Sequence, residues 1–165
     1  MIREIIRKGD PALNKKCHPV TRFDGKLARL LDDLKETLID SGGAGLAAPQ
    51  VGILRRVVVV LNEAEEIYEL VNPTIVSSSG EQTGFEGCLS LPGRWGVVTR
   101  PMTVRVRAQD RAGNWFEVEE QGLTARCFCH ELDHLDGHLF DELCDRTYTT
   151  EELEQMEQEQ AEEQA

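Results

Sequence analysis

His130 and His134 stand four residues apart, with Glu131 between them, in His130-Glu131-Leu132-Asp133-His134. On a helix, residues at that spacing share a face about one turn apart. Two imidazoles so placed can bind one ion through neutral ring nitrogens. Glu131 is offset by roughly 100° around the axis. It can sit beside the ion without ligating it, where a carboxylate takes the proton of an attacking water. The pattern alone points to a metal-dependent hydrolase that cuts an amide-type bond.

Two histidines leave a third protein ligand to find. His138 lies past Gly137, the expected helix stop, and reads as a surface residue. Cys127 shares the face of the two histidines, but about 10 Å of helix rise separates it from His134. So short a side chain hardly reaches an ion held across 130 and 134, and Cys127 reads as lining a pocket. Cys129 points roughly 200° away from Cys127 and reads as core. Cys88 is the better candidate, because it sits in the unusual segment Glu86-Gly87-Cys88-Leu89-Ser90.

The elements that must position these residues are partly visible. Leu27, Leu30, Leu31, Leu34 and Leu38 recur at spacings of three and four, predicting an amphipathic helix from Gly25 to Ser41. Asp24 is its expected N-cap, and Gly42 with Gly43 closes it. The stretch Gly43 to Gln50 follows a helix and has no Lys-Ser/Thr pair, so it fails the context for a phosphate loop and reads as a turn. Ile53 to Leu61 predicts a buried strand, with shorter strands at Tyr68 to Val71 and Thr74 to Ser77 around Asn72-Pro73. Alternation from Val104 to Ala108, a turn at Asp110 to Asn114 and a strand from Trp115 to Glu119 predict a hairpin. Leu123 to Asp136 predicts the helix that carries the histidines. Consecutive strands flanked by helices indicate an α+β fold with antiparallel or mixed sheets packed around the metal-binding helix.

Length and charge narrow the function further. At 165 residues with 40% hydrophobic content, the chain is the size of one domain with a packed core. Its net charge is -12, and Glu151 to Ala165 holds seven glutamates and no cation. An acidic chain does not suit a phosphate backbone, so no direct nucleic-acid partner is expected. MIREIIRKGD has no long apolar run, and no membrane association or secretion signal is expected. Five cysteines without such a signal indicate reduced thiols and a cytoplasmic setting.

Three segments together resemble peptide deformylases, in the family's order and at similar spacing. They are Gly43-Ala44-Gly45-Leu46-Ala47-Ala48-Pro49-Gln50, Glu86-Gly87-Cys88-Leu89-Ser90 and His130-Glu131-Leu132-Asp133-His134-Leu135-Asp136-Gly137. The resemblance runs over residues 1–148, expected to be the catalytic domain, with 149–165 an acidic tail, helical or disordered. It implies removal of the formyl group from the N-terminal formylmethionine of new bacterial proteins, releasing formate. It also implies one divalent metal ion on Cys88, His130 and His134, ferrous iron in the cell, with zinc, nickel or cobalt able to replace it.

The same resemblance implies Glu131 as acid/base, with the Gln50 amide and the Leu89 backbone N–H facing the oxyanion. Backbone at Ala44, Gly45 and Gly87 would pair with the extended peptide. Glu86, Leu123 and Cys127 would line the methionine pocket. Partners would be formylmethionyl peptides and nascent chains, met by a monomer in transient proximity to the ribosome. The acidic tail does not suit docking onto the ribosome. Asp133 and Arg100 form an expected ion pair that orients the metal helix. A small metallopeptidase using the same His/Glu/His site is the alternative enzyme. A structural zinc site is the non-enzymatic one, and it would need Cys127 as a fourth ligand.

Overall fold

Helix α1 (Gly25–Ser41) starts and stops where its caps dictate. The Asp24 carboxylate accepts from the backbone N–H groups of Lys26 and Leu27. Gly42 ends the helix in the left-handed conformation at φ 71°, which costs little without a Cβ. All five expected leucines are buried. The computed structural model describes residues 1–164.

Strands β1 (Gly45–Ala47), β2 (Val57–Leu61), β3 (Ile67–Ser79), β6 (Thr103–Gln109) and β7 (Trp115–Gln121) form one antiparallel sheet in the order β1-β2-β3-β6-β7. A second sheet joins β4 (Gln82–Cys88), β5 (Leu91–Arg100) and β8 (Thr147–Thr149), in the order β4-β5-β8. Helix α2 (Gly122–Leu135) follows β7, and α3 (Thr150–Gln164) follows β8. The architecture is α+β, with antiparallel pairing throughout both sheets.

The run Val57-Val58-Val59-Val60 shows how the layers are built. Successive strand residues point to opposite faces. Val57 and Val59 pack with the α1 leucines, while Val58 and Val60 pack with Phe128, Leu132 and Leu135 of α2. The five-stranded sheet is thus sandwiched between the two helices, which explains an apolar run with no polar face. A third cluster, Leu13, Leu91, Val98, Leu139 and Phe140, supports the smaller sheet.

Several expected boundaries move. Strand β2 begins at Val57 rather than Ile53, because Ile53 to Arg56 is held in a loop, with the Ile53 N–H on the Ala48 carbonyl. The two short strands around Asn72-Pro73 are one strand, β3, with an irregularity between Val71 and Thr74. Asn72 takes a left-handed φ of 51° there. Its side chain is held by both backbone groups of Val20 and donates to Gln109. Such an extra residue leaves a place in the ladder where proline needs no N–H partner. The β4–β5 hairpin is absent from the strands expected above. The tail is helical over Thr150–Gln164, with no buried residue.

Candidate metal centre and active site

Helix α2 carries two stripes of different chemistry. Ala125, Phe128, Leu132 and Leu135 face the sheet core. His130, Glu131 and His134 are also buried, but on the side that meets the β4–β5 hairpin. Burying three polar side chains without partners is costly, so their surroundings report what the site is built for.

Cys88, at the end of β4, brings its thiol to the two imidazoles. Its Sγ lies 3.4 Å from His134 Nε2. One ligand atom each from Cys88, His130 and His134 falls within 4.8 Å of the others, the one such group among the described residues. Two ligands at ordinary nitrogen and sulfur bond lengths around a tetrahedral ion stand about 3.5 Å apart. The Cys/His/His set therefore fits a divalent ion. It leaves the fourth position open, as in catalytic rather than closed structural sites.

Two buried polar atoms here have no hydrogen-bond partner, Glu131 Oε1 and His134 Nδ1. Glu131 Oε1 is 3.9 Å from His134 Nε2. Burial pushes the Glu131 carboxyl up to about 7, against the pull of His130. Burial and the neighbouring His130 hold His134 down at about 3, in the neutral form with a free lone pair. Cys127 is outside the ligand group. Burial and the nearby Glu131 push its thiol well above the ordinary range, keeping it protonated.

Glu86 does more than line the cleft. Its carboxylate accepts from Arg100 Nε at 3.0 Å and Nη2 at 2.9 Å, and from Arg126 Nη1 at 3.0 Å. It also meets His130 Nδ1 at 2.9 Å. An ionised carboxylate only accepts, so Nδ1 carries a proton, and Nε2 is the ring nitrogen that an ion would take in place of a proton. Burial lowers the His130 pKa, but without an ion Cys88 and Glu86 outweigh it and push the pKa well above the ordinary range. Glu86 also borders the cleft described below, with both carboxylate oxygens taken by cations and imidazole. Arg100 extends the network to Asp133 at 2.7 Å, so the Arg100–Asp133 pair is present. Arg126 has no place in the sequence reading. Its signal was a cation four residues before His130, hence on the same face of α2.

The remaining expected residues border one cleft of about 510 Å³, which also takes in His130 and Glu131. A short 3-10 turn, Ala48–Val51, presents Gln50. Its Oε1 accepts from the Ala47 N–H at 3.0 Å, and its Nε2 donates to Ser90 Oγ at 3.1 Å and Cys88 Sγ at 3.6 Å. The amide orientation is therefore fixed, with donors toward Cys88. Ser90, fully buried, is a partner that the sequence reading did not assign. Leu89 borders the cleft in the turn between β4 and β5, and Leu123 is an exposed residue at its rim. Ala44, Gly45 and Gly87 lie along the edges of β1 and β4. Both strands are at the ends of their sheets, so each offers an edge for strand addition.

Gly45 is one position where this cleft leaves no room for a side chain. A Cβ there would stand 2.6 Å from Cys127 Sγ and 2.7 Å from Glu131 Oε2. Gly45→Ala should displace the Glu131 carboxylate and destabilise the fold by about 1–3 kcal/mol, the usual cost of overpacking. Urea unfolding of the variant checks this, and a midpoint equal to wild type would contradict it.

A family model described as Polypeptide deformylase matches residues 2–149. A peptide deformylase of Agathobacter rectalis is 52% identical over 139 residues, covering 84% of this chain and 87% of that protein. One from Caldicellulosiruptor bescii is 50% identical, covering 93% and 92%. Among solved structures, a peptide deformylase from Legionella pneumophila is similar with a TM-score of 0.83 at 39% identity, covering 98% of both chains. That from Thermus thermophilus has a TM-score of 0.82 at 43% identity, covering 86% and 84%. The fold, the Cys/His/His group and these likenesses agree, and the chain belongs to the peptide deformylase family, hydrolases that act on formylmethionyl peptides.

Proposed function

We propose that this chain removes the formyl group from the N-terminal formylmethionine of newly made proteins, releasing formate, at the site formed by Cys88, His130, His134 and Glu131. The observation that carries this reading is the unpartnered Glu131 Oε1 beside a three-ligand group with an open position. A divalent ion held by Cys88, His130 and His134 would supply Lewis-acid chemistry, polarising the formyl oxygen and making water acidic near neutral pH.

The protein's own groups do the rest. Glu131 Oε1 takes the proton of the attacking water and returns it to the departing amine, a role suited to a buried carboxyl with no competing hydrogen-bond partner on that oxygen. Gln50 Nε2, aimed by its Ala47 contact, and the Leu89 N–H face the oxygen that gains negative charge. Peptide backbone adds along the free edges of β1 and β4, at Ala44, Gly45 and Gly87. Leu123 and Cys127 provide apolar wall for the methionine thioether. Glu86 orients His130, and Arg100 and Arg126 fix Glu86 in turn.

The resident ion in the cell is proposed to be Fe(2+), with Zn(2+), Ni(2+) or Co(2+) able to replace it, on a thiolate and two imidazoles that accept all four. Residues 1–148 form the catalytic unit, acting as a monomer in a reducing cytoplasm where the five free cysteines persist. No helix among the described residues is long and apolar enough to cross a membrane. Nascent chains near the ribosome are the proposed substrates, and the acidic helix α3 does not anchor the enzyme there.

Formyl-Met-Ala and acetyl-Met-Ala separate this reading from a general amidase. The extra methyl must fit beside Glu131 and Gln50, so turnover of the acetyl peptide should be lower by at least about tenfold, the scale for one added carbon in a close-fitting site. Equal rates would remove the formyl specificity. Cys127→Ala should leave metal content unchanged, whereas a closed structural site would lose its ion; metal analysis of the purified variant decides between them.

A further inference from the structure

A second cavity, of about 650 Å³, opens at the N-terminal end of α1 and shares no lining residue with the cleft above. Arg22, Lys26, Arg29 and Arg55 stand around it, and all four are exposed. Among the described residues, none of the four has a carboxylate within 4.0 Å. Arg56, Arg100, Arg111 and Arg126 are paired with carboxylates, while Arg7, Arg94 and Arg107 are the other unpaired arginines among the described residues, and none of these three lines this cavity. A chain of net charge -12 has thus gathered four unneutralised cations around one concavity.

Two carboxylates, Asp24 and Asp33, also line the cavity and are outnumbered by the cations. Asp24 caps α1 through Lys26 and Leu27, and Asp33 accepts from Arg3 Nε at 2.9 Å. Lys26 and Arg29 are three residues apart on α1 and so share a face. Arg55 is fixed from the other side, where its backbone bridges His18. Leu27, Leu30 and Ile53 supply an apolar floor.

We propose that this cavity binds a compact anion carrying two or more phosphate groups, of nucleotide size. Four cations exceed what a single carboxylate needs, and three of them are guanidinium forks that match phosphate oxygens. The volume lies in the range of small-molecule sites, and the apolar floor suits a sugar or base. A long polyanion is disfavoured. Phosphates beyond the cavity would lie over the surface of a chain of net charge -12, whose field reaches about 8 Å at physiological salt. The occupant is therefore a free nucleoside polyphosphate rather than a nucleic-acid strand.

Titration calorimetry on the full-length, metal-loaded protein tests this at 0.15 M salt, with ATP, inorganic triphosphate and a short single-stranded RNA as probes. Wild type should bind one ATP per chain saturably, and triphosphate more weakly. Arg29→Glu/Arg55→Glu should weaken ATP by at least about tenfold, the loss of two charge-assisted contacts. Arg29→Gln/Arg55→Gln should fall in between, and both variants should keep the wild-type thermal midpoint. Lys15→Glu/Lys16→Glu makes the same charge change at exposed residues outside the cavity and should shift the affinity less than about twofold. Absence of saturable ATP binding, equal weakening by the Lys15/Lys16 variant, or tighter binding of RNA than of ATP would each overturn the proposal. None of these readouts depends on catalysis.

Discussion

Glu131→Ala should lower the rate of formate release by roughly 10²–10⁴-fold, the usual worth of a positioned general acid/base. Two features make the loss large. Glu131 Oε1 has no protein partner and stands 3.9 Å from His134 Nε2, so no neighbour can take over the proton. Glu131 is also outside the ligand group, so metal content should stay at the wild-type level. Glu131→Gln should be equally inactive, because the amide keeps the volume but cannot take the proton. A variant that lost metal in parallel with activity would instead make Glu131 a ligand.

Glu86→Ala should be the most destabilising single change near the site, by about 3–5 kcal/mol, the cost of leaving buried charge uncompensated. Arg100 and Arg126 are 6% and 7% exposed. Each would lose its carboxylate partner on Glu86, and His130 would lose the acceptor that sets its tautomer. Metal affinity should fall by about 10–100-fold as the outer support of His130 goes. Chemical denaturation with a metal titration of the same sample measures both effects. A stable variant with wild-type metal affinity would show that the network is ornamental.

The same residue carries a pH dependence. Burial raises the Glu86 carboxyl, but the His130 and Arg100 bonds outweigh it and hold the group at about 2, below the ordinary 4.5. A carboxylate depressed in the folded state contributes stability above its unfolded pKa and loses it as pH falls. The fold should therefore weaken as pH falls from 4.5 to about 2. Glu86→Gln should flatten that part of the acid-unfolding profile. An unchanged profile would place the acid sensitivity elsewhere.

What the sequence made legible follows from how local each signal is. Helix α1 was readable to the residue, because its leucine stripe, Asp24 and Gly42 all lie within one short stretch. The His130–His134 face was readable for the same reason. Glu86 was not, because its partners Arg100, Arg126 and His130 lie 14, 40 and 44 residues away. No periodicity joins such distant charges, and the resemblance placed the residue in a pocket without its ion pairs. The β4–β5 hairpin escaped because Gly84, Gly87, Pro92, Gly93 and Gly96 interrupt any alternating apolar pattern. Gly87 and Gly96 are instead where other groups press close. A Cβ at Gly87 would stand 2.5 Å from the Trp95 ring, and one at Gly96 would stand 2.5 Å from Cys144 Sγ. Strand β3 was split for a related reason, since Asn72-Pro73 reads as a break but is accommodated as an irregularity inside one strand.

The most direct measurement is product analysis of formyl-Met-Ala by mass spectrometry, with wild type and Glu131→Ala at matched metal content. Wild type should give formate and Met-Ala in equal amounts, and the variant almost none of either. Formyl-Met and free alanine as products, or equal turnover by the two proteins, would contradict the assignment of Glu131 and its metal group to the formyl amide.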